Sequence, residues 1–224
     1  MTNSKKMLDD FIKGDEVNLS EFEKENYILE PLLPEISLIQ DEAVSGFVRS
    51  LLVRASIFWD VPSSISPLFN PPDEQGPHGL VLHTKRVVRV VGILAESHSF
   101  TQEDKDLLYA AAILHDLTKI IQEGPDEEPR FDIMYPYTLD KFVRFIREDD
   151  QTYASESQSS TLYIDEEKAF SIMRLVRCHL GPWSPIPETI PISAMEMILH
   201  CADHCASKLH YIIDGDEIKE ERWK

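Results

Sequence analysis

With 224 residues, 42% of them hydrophobic, the chain is long enough for one domain with a sizeable core, and no apolar run approaches the roughly 20 residues that a membrane-spanning helix needs. A formal net charge of −18 repels phosphate backbones; this argues against long nucleic acid as a partner but permits a small nucleotide, because one metal ion and a few cations can dominate a pocket. The opening Met1–Asp10 lacks the apolar core of a signal peptide, and three cysteines make no disulfide framework, so the expectation is a cytoplasmic protein with no membrane partner.

Along the chain, the first 40 residues are acidic and weakly periodic and read as an N-terminal extension. From Asp41 to Trp59 the apolar residues Val44, Phe47, Val48, Leu51, Leu52, Ala55 and Phe58 recur at three- and four-residue spacing, the pattern of an amphipathic helix. The Pro-rich stretch Val61–Pro72 cannot be regular helix and reads as an ordered loop. A helix from about His78 to Ser97 follows, with Leu80, Thr84, Val87, Val91 and Leu94 on one face and His83 among them. Thr101, with Asp104 three residues on, is a capping-box start for the next helix, which runs through Leu107–Lys119. The acidic turn Gly124–Pro129 ends that helix.

Tyr137 to Arg147 reads as a short helix, Asp149 to Thr161 as a polar Ser-rich loop, and Asp165 to Leu180 as a helix stopped by Gly181-Pro182. The last helix spans Ser193 to about Ile213. Residues 41–213 then form the domain, and 214–224 a polar tail. No strand-like alternation is long enough to build a sheet, so the fold class is all-α. Cys201 and Cys205 are four apart on the last helix; they are either potential metal ligands or small residues beside a core.

Four side chains stand out because each falls on an apolar helix face: His83, the adjacent pair His115-Asp116, and Asp203. A buried carboxylate needs an opposite charge or a metal. Asp203 could pair with Arg174, Arg177 or His204, and a histidine on an apolar stripe can be an ordinary packed residue. Together, two imidazoles and two carboxylates suit Mn²⁺, Fe²⁺, Co²⁺, Ni²⁺ or Zn²⁺, and Mg²⁺ less naturally.

The order His, His-Asp, Asp resembles the HD superfamily of metal-dependent phosphohydrolases. His78-Gly79-Leu80-Val81-Leu82-His83-Thr84 is similar to the segment that opens many HD domains, Ala111–Lys119 to their central helix, and Ile198–Asp203 to the segment bearing the final Asp. Trp59–Ser64 and Val176–Trp183 resemble a branch of HD proteins found in bacteria and their phages. The resemblance covers roughly residues 45 to 210 and implies an HD helical bundle with a Pro-rich loop before the first ligand helix.

It also implies that His83, His115, Asp116 and Asp203 bind a divalent transition metal. His179 is either a ligand of a second ion or a helix C-terminal cap favoured by the dipole. His200, one turn before Asp203, is expected to orient that carboxylate. Related branches place a further His in the Pro-rich loop, where this chain reads Phe69-Asn70-Pro71; one ion or two stays open. In the implied mechanism Asp116 orients a metal-activated water, Lys119 contacts a phosphate oxygen, and His179 protonates the leaving group or holds the second ion. Arg86 and Lys85 are candidate phosphate contacts.

Three functions follow: hydrolysis of a phosphoester or phosphoanhydride bond in a small-molecule nucleotide, a 3′→5′ exonuclease on RNA or single-stranded DNA, or a non-catalytic nucleotide-binding module. Against the exonuclease, no basic patch interleaved with aromatics is present. Helical domains of this size commonly pair, so a homodimer is open.

Overall fold

A computed structural model of the protein describes residues 21–55, 58–64, 69–121, 130–131, 135–153, 164–184, 186–208, 211–214 and 217–220. Its helices are α1 (Glu21–Leu29), α2 (Leu33–Ile36), α3 (Glu42–Arg54), α4 (Gly79–Glu96), α5 (Gln102–Leu114), α6 (Tyr135–Tyr153), α7 (Glu166–Cys178) and α8 (Ala194–Lys208). Two antiparallel ladders accompany them, β1 (Ile120–Ile121) with β2 (Arg130–Phe131) and β3 (Tyr211–Asp214) with β4 (Glu217–Glu220). The fold is all-α, because the helices supply the core. No helix among the described residues is long and apolar enough to cross a membrane.

Helix α5 is the centre of the bundle. It starts on the expected capping box: Thr101 Oγ1 accepts from the Asp104 amide at 3.1 Å, and the Asp104 carboxylate accepts from the Thr101 amide at 2.9 Å. Its second half, Leu108 and Ala110 to Leu114, is fully buried. A helix buried on all sides must be apolar all round, and three successive alanines let its neighbours approach closely. Helices α3, α4, α7 and α8 pack around it, and α4 also lies along α8.

The first segment departs from expectation. Leu29, Leu32, Ile36 and Ile39, which lie in the N-terminal extension read from sequence, join the core. Their spacing of three and four is helical, but Pro31 and Pro34 interrupt it, so the structure uses a 3₁₀ turn (Glu30–Leu32) followed by the short α2. Residues 1–20 lie outside the described residues.

The Pro-rich segment is ordered where described. Ser63 donates its amide to the Glu74 carbonyl at 3.0 Å, the Leu80 amide reaches the Val61 carbonyl at 3.0 Å, and Pro72–Glu74 forms a 3₁₀ turn against α4. Gly79 is required at the start of α4, because a Cβ there would lie 2.0 Å from the Glu74 carbonyl oxygen. Residues 65–68 of that loop, the whole of the expected acidic turn 124–129, and 154–161 of the expected Ser-rich loop lie outside the described residues.

Helix α6 continues to Tyr153, six residues past the expected end; periodicity marks where apolar contacts stop, not where backbone hydrogen bonding stops. Helix α8 ends at Lys208, short of the expected Ile213, and the chain enters β3, with Asp214 registered against Glu217. The dipeptide Gly215-Asp216, which falls between the two strands, is a two-residue hairpin signal that the apolar periodicity of the helix masks.

Candidate metal centre

The His115-Asp116 pair lies at the end of α5, not inside a continuing helix. The side chain of His115 explains the stop: its Nδ1 lies 2.7 Å from the Ala112 carbonyl oxygen, one of the last-turn carbonyls left without a helical donor. A carbonyl accepts only, so Nδ1 carries the proton and Nε2 has the lone pair. The chain then turns, with Leu117 N bonded to Leu114 O at 3.1 Å and Lys119 N to Asp116 O at 3.0 Å. The end of α7 repeats the device: His179 Nδ1 donates to the Val176 carbonyl at 2.5 Å, and Nε2 faces Asp116 Oδ1 at 3.7 Å. The two readings of His179 are therefore compatible, since one nitrogen caps the helix while the other faces the cluster.

His83 comes from the second turn of α4 and Asp203 from α8, and their side chains meet, with Nε2 3.0 Å from Oδ1. His83, His115 and Asp203 each offer a ligand atom, all within 4.8 Å of one another. Asp116 Oδ2 lies 3.5 Å from His115 Nε2 and 3.9 Å from His83 Nε2. The His83 and His115 rings are 5.3 Å apart, and those of His115 and His179 are 5.2 Å apart. Histidines 83, 115 and 179 and Asp116 are at most 1% exposed, whereas the side chains of Asp203 and Lys119 are 20% and 18% exposed. The cluster therefore opens to solvent beside Asp203 and Lys119.

Charge is distributed unevenly. Burial alone would lower the His83 pKa, but its bonds to Asp203 and Glu74 outweigh burial and push it up to about 9. At His115 burial wins over the nearby Asp116 and Asp203, and the pKa falls to about 4, which leaves a neutral imidazole. Burial would raise both carboxyls. Lys119 and the histidines at Asp116, and the His83 bond at Asp203, hold them well below the usual range instead.

Two buried atoms in this cluster have no hydrogen-bond partner, His115 Nε2 and Asp116 Oδ1. Both are acceptors, and each unsatisfied buried acceptor costs about 1–3 kcal/mol. A divalent cation at the cluster would accept a lone pair from each; the carboxylates are already ionised and His115 is neutral, and His83 would give up its Nε2 proton on binding. The residues fit a metal ion.

Some expected roles change. Arg86 is not placed to meet a substrate: it is buried, its Nη1 lies 2.5 Å from Glu74 Oε1, and its Nη2 is paired with Asp73. Lys119, by contrast, stays at the open edge of the cluster, with Nζ 2.6 Å from Asp116 Oδ2. His200 does not orient Asp203; its Nδ1 donates to the His179 carbonyl at 2.8 Å. Of the expected alternatives for Asp203, Arg174 binds Glu196, Arg177 is paired with Asp140, and the His204 ring stacks on Trp183, while Asp203 meets His83.

Sequence reasoning missed Glu74, which is fully buried with Oε2 3.3 Å from His83 Nδ1. It also missed the role of Asn70, which lies in the stretch Phe69-Asn70-Pro71, where related branches carry a further His, and donates to Glu74 Oε2 at 2.8 Å. A polar run between prolines reads as a solvated turn, so composition carried no signal for either residue.

No curated protein and no solved structure shows significant similarity to this chain. The family model described as the HD domain matches residues 80–208, a span that contains His83, His115, Asp116, His179 and Asp203. That match covers more than half of the chain and agrees with the helical bundle and its buried cluster, and the chain belongs to the HD-domain family, whose members are in general metal-dependent phosphohydrolases.

Proposed function

We propose that the protein hydrolyses a phosphoester or phosphoanhydride bond of a small nucleotide, with His83, His115, Asp116 and Asp203 holding a divalent transition metal. The observation that carries this reading is the pair of orphaned buried acceptors, His115 Nε2 and Asp116 Oδ1, within the cluster. When bound, such an ion supplies an activated water and polarises a phosphoryl oxygen.

The chain's own groups do the rest. The Ala112 and Val176 carbonyls fix the tautomers of His115 and His179. Asp116, kept ionised, directs Oδ1 toward the space beside His179 and is the group that orients a water. Lys119 neutralises Oδ2 at the solvent-facing edge, where an incoming phosphate arrives, and is the cation that meets it. His179, whose Nδ1 keeps its proton on the Val176 carbonyl, has Nε2 placed to take a second ion, or to accept the proton that the attacking water loses and pass it to the leaving oxygen. The net charge of −18 favours a small substrate over a polynucleotide.

The test offers purified protein with Mn²⁺ or Co²⁺ nucleoside mono- and triphosphates, cyclic nucleotides and short oligonucleotides. Release of phosphate or nucleoside product is expected from a mononucleotide, and Asp116→Asn should reduce it by roughly 10²-fold or more. Turnover of oligonucleotides alone, or of nothing, refutes the reading.

A further inference from the structure

The carboxylate of Glu74 lies directly behind His83, on the side away from Asp203. It is fully enclosed, and an enclosed carboxylate must be compensated. Arg86 reaches Oε1 at 2.5 Å, Asn70 donates to Oε2 at 2.8 Å, and His83 Nδ1 lies 3.3 Å from the same oxygen. Arg86 also binds Asp73. The group thus holds two carboxylates and one guanidinium, and the remaining negative charge faces His83.

Its backbone is fixed as firmly. The Glu74 amide bonds to the Pro71 carbonyl at 3.0 Å, its carbonyl accepts from the Ser63 amide and hydroxyl, and Gly79 leaves the space that this carbonyl fills. Asn70, Asp73 and Glu74 all lie outside residues 80–208, the span matched by the HD model.

Nδ1 of His83 faces both Glu74 and the amide nitrogen of Asn70, at 3.3 Å each. The amide is already donating to Glu74, and an enclosed carboxylate attracts a ring proton more strongly than an amide attracts a ring lone pair. With a metal ion bound, the one proton that His83 keeps therefore belongs on Nδ1; Nε2, which in the metal-free protein donates to Asp203 Oδ1, then presents the ligating lone pair.

We propose that Glu74, aligned by Asn70 and Arg86, is the positioning residue of the metal centre, fixing His83 so that Nε2 is presented beside Asp203 and His115. This role rests on the metal-centre reading given above. A carboxylate behind a ligating histidine orients the ring and strengthens the ligand, and removing such a partner costs about 10–100-fold in metal affinity.

The test is Mn²⁺ titration by calorimetry on the full chain, for wild type, Glu74→Gln and Asn70→Ala, with circular dichroism of each metal-free protein as the check on folding. Mn²⁺ is used because it avoids the thiols of Cys201 and Cys205. Glu74→Gln keeps the size of the side chain and should weaken binding about 10–100-fold; Asn70→Ala should weaken it less, on the order of threefold to tenfold. Either variant, folded and binding Mn²⁺ as the wild type does, overturns the role while leaving the metal centre standing. Wild-type protein that binds no Mn²⁺ overturns both. Long-range ¹⁵N–¹H spectra of Zn²⁺-loaded wild type, labelled at histidine, give a readout that needs no variant: the His83 proton is expected on Nδ1, and a proton on Nε2 overturns the proposal.

Discussion

Gly181→Ala perturbs the turn that carries His179. Gly181 has φ of +58°, in the left-handed region, and a Cβ there would lie 2.3–2.7 Å from three atoms of the His200 ring. The backbone conformation alone costs alanine roughly 1–2 kcal/mol. The ring must also rotate away, which breaks its bond to the His179 carbonyl, worth about 0.5–1.5 kcal/mol, and disturbs its packing on Trp183, whose ring centroid is 5.5 Å away. The total is about 2–3 kcal/mol, which for a chain of this length lowers Tm by roughly 5–10 °C. Thermal unfolding followed by circular dichroism measures it. Residues in direct contact couple, so the double variant Gly181→Ala/His200→Ala should lose less than the sum of the single losses, by about 1 kcal/mol, because the clash no longer exists. A Gly181→Ala protein melting within about 1 °C of wild type, or strict additivity in the cycle, refutes the reasoning.

Asp106 is buried and accepts from the amides of Gln40 and Asp41 at 3.0 and 2.8 Å and from the Gln102 side chain at 2.8 Å; Asp106→Ala should destabilise by about 2–4 kcal/mol in urea unfolding with Mn²⁺ affinity unchanged, since the site is remote. Burial would raise the Glu196 carboxyl, but the Ile192 and Ser193 amides and Arg174 outweigh it and lower the pKa below its usual 4.5. A lowered folded-state value stabilises above the unfolded pKa and is lost as pH falls through the folded one, so wild type should lose stability from about pH 4.5 downward more steeply than Glu196→Gln; equal slopes would count against a stabilising role for these bonds to the carboxylate. Excess Mn²⁺ should raise Tm, since ligand at a hundredfold over Kd adds about 2.7 kcal/mol, and the rise should vanish in His115→Ala.

The sequence is most legible where chemistry and periodicity coincide. The stripe through Leu80, Val87 and Val91 and the apolar run ending at Leu114 are core, as expected, and Thr101 caps α5 as its spacing indicates. The four HD residues could be read because each polar group interrupts an apolar face. Glu74 and Asn70 were not legible, because their burial comes from a loop folding onto α4, a tertiary event with no local period. Arg86 looked like a phosphate contact for the same reason; its partners, Asp73 and Glu74, come from that loop. The early end of α5 was hidden because the apolar pattern runs on through Leu117, while the His115 side chain takes the Ala112 carbonyl and the chain turns through the Leu117–Leu114 and Lys119–Asp116 backbone bonds.

The most direct measurement is an anomalous-scattering experiment on crystals of the protein grown with Mn²⁺. The account predicts a peak at about 2.0–2.3 Å from Nε2 of His83, Nε2 of His115 and carboxylate oxygens of Asp116 and Asp203. A peak elsewhere with none at this cluster, or none at all with Mn²⁺ well above millimolar, would contradict it.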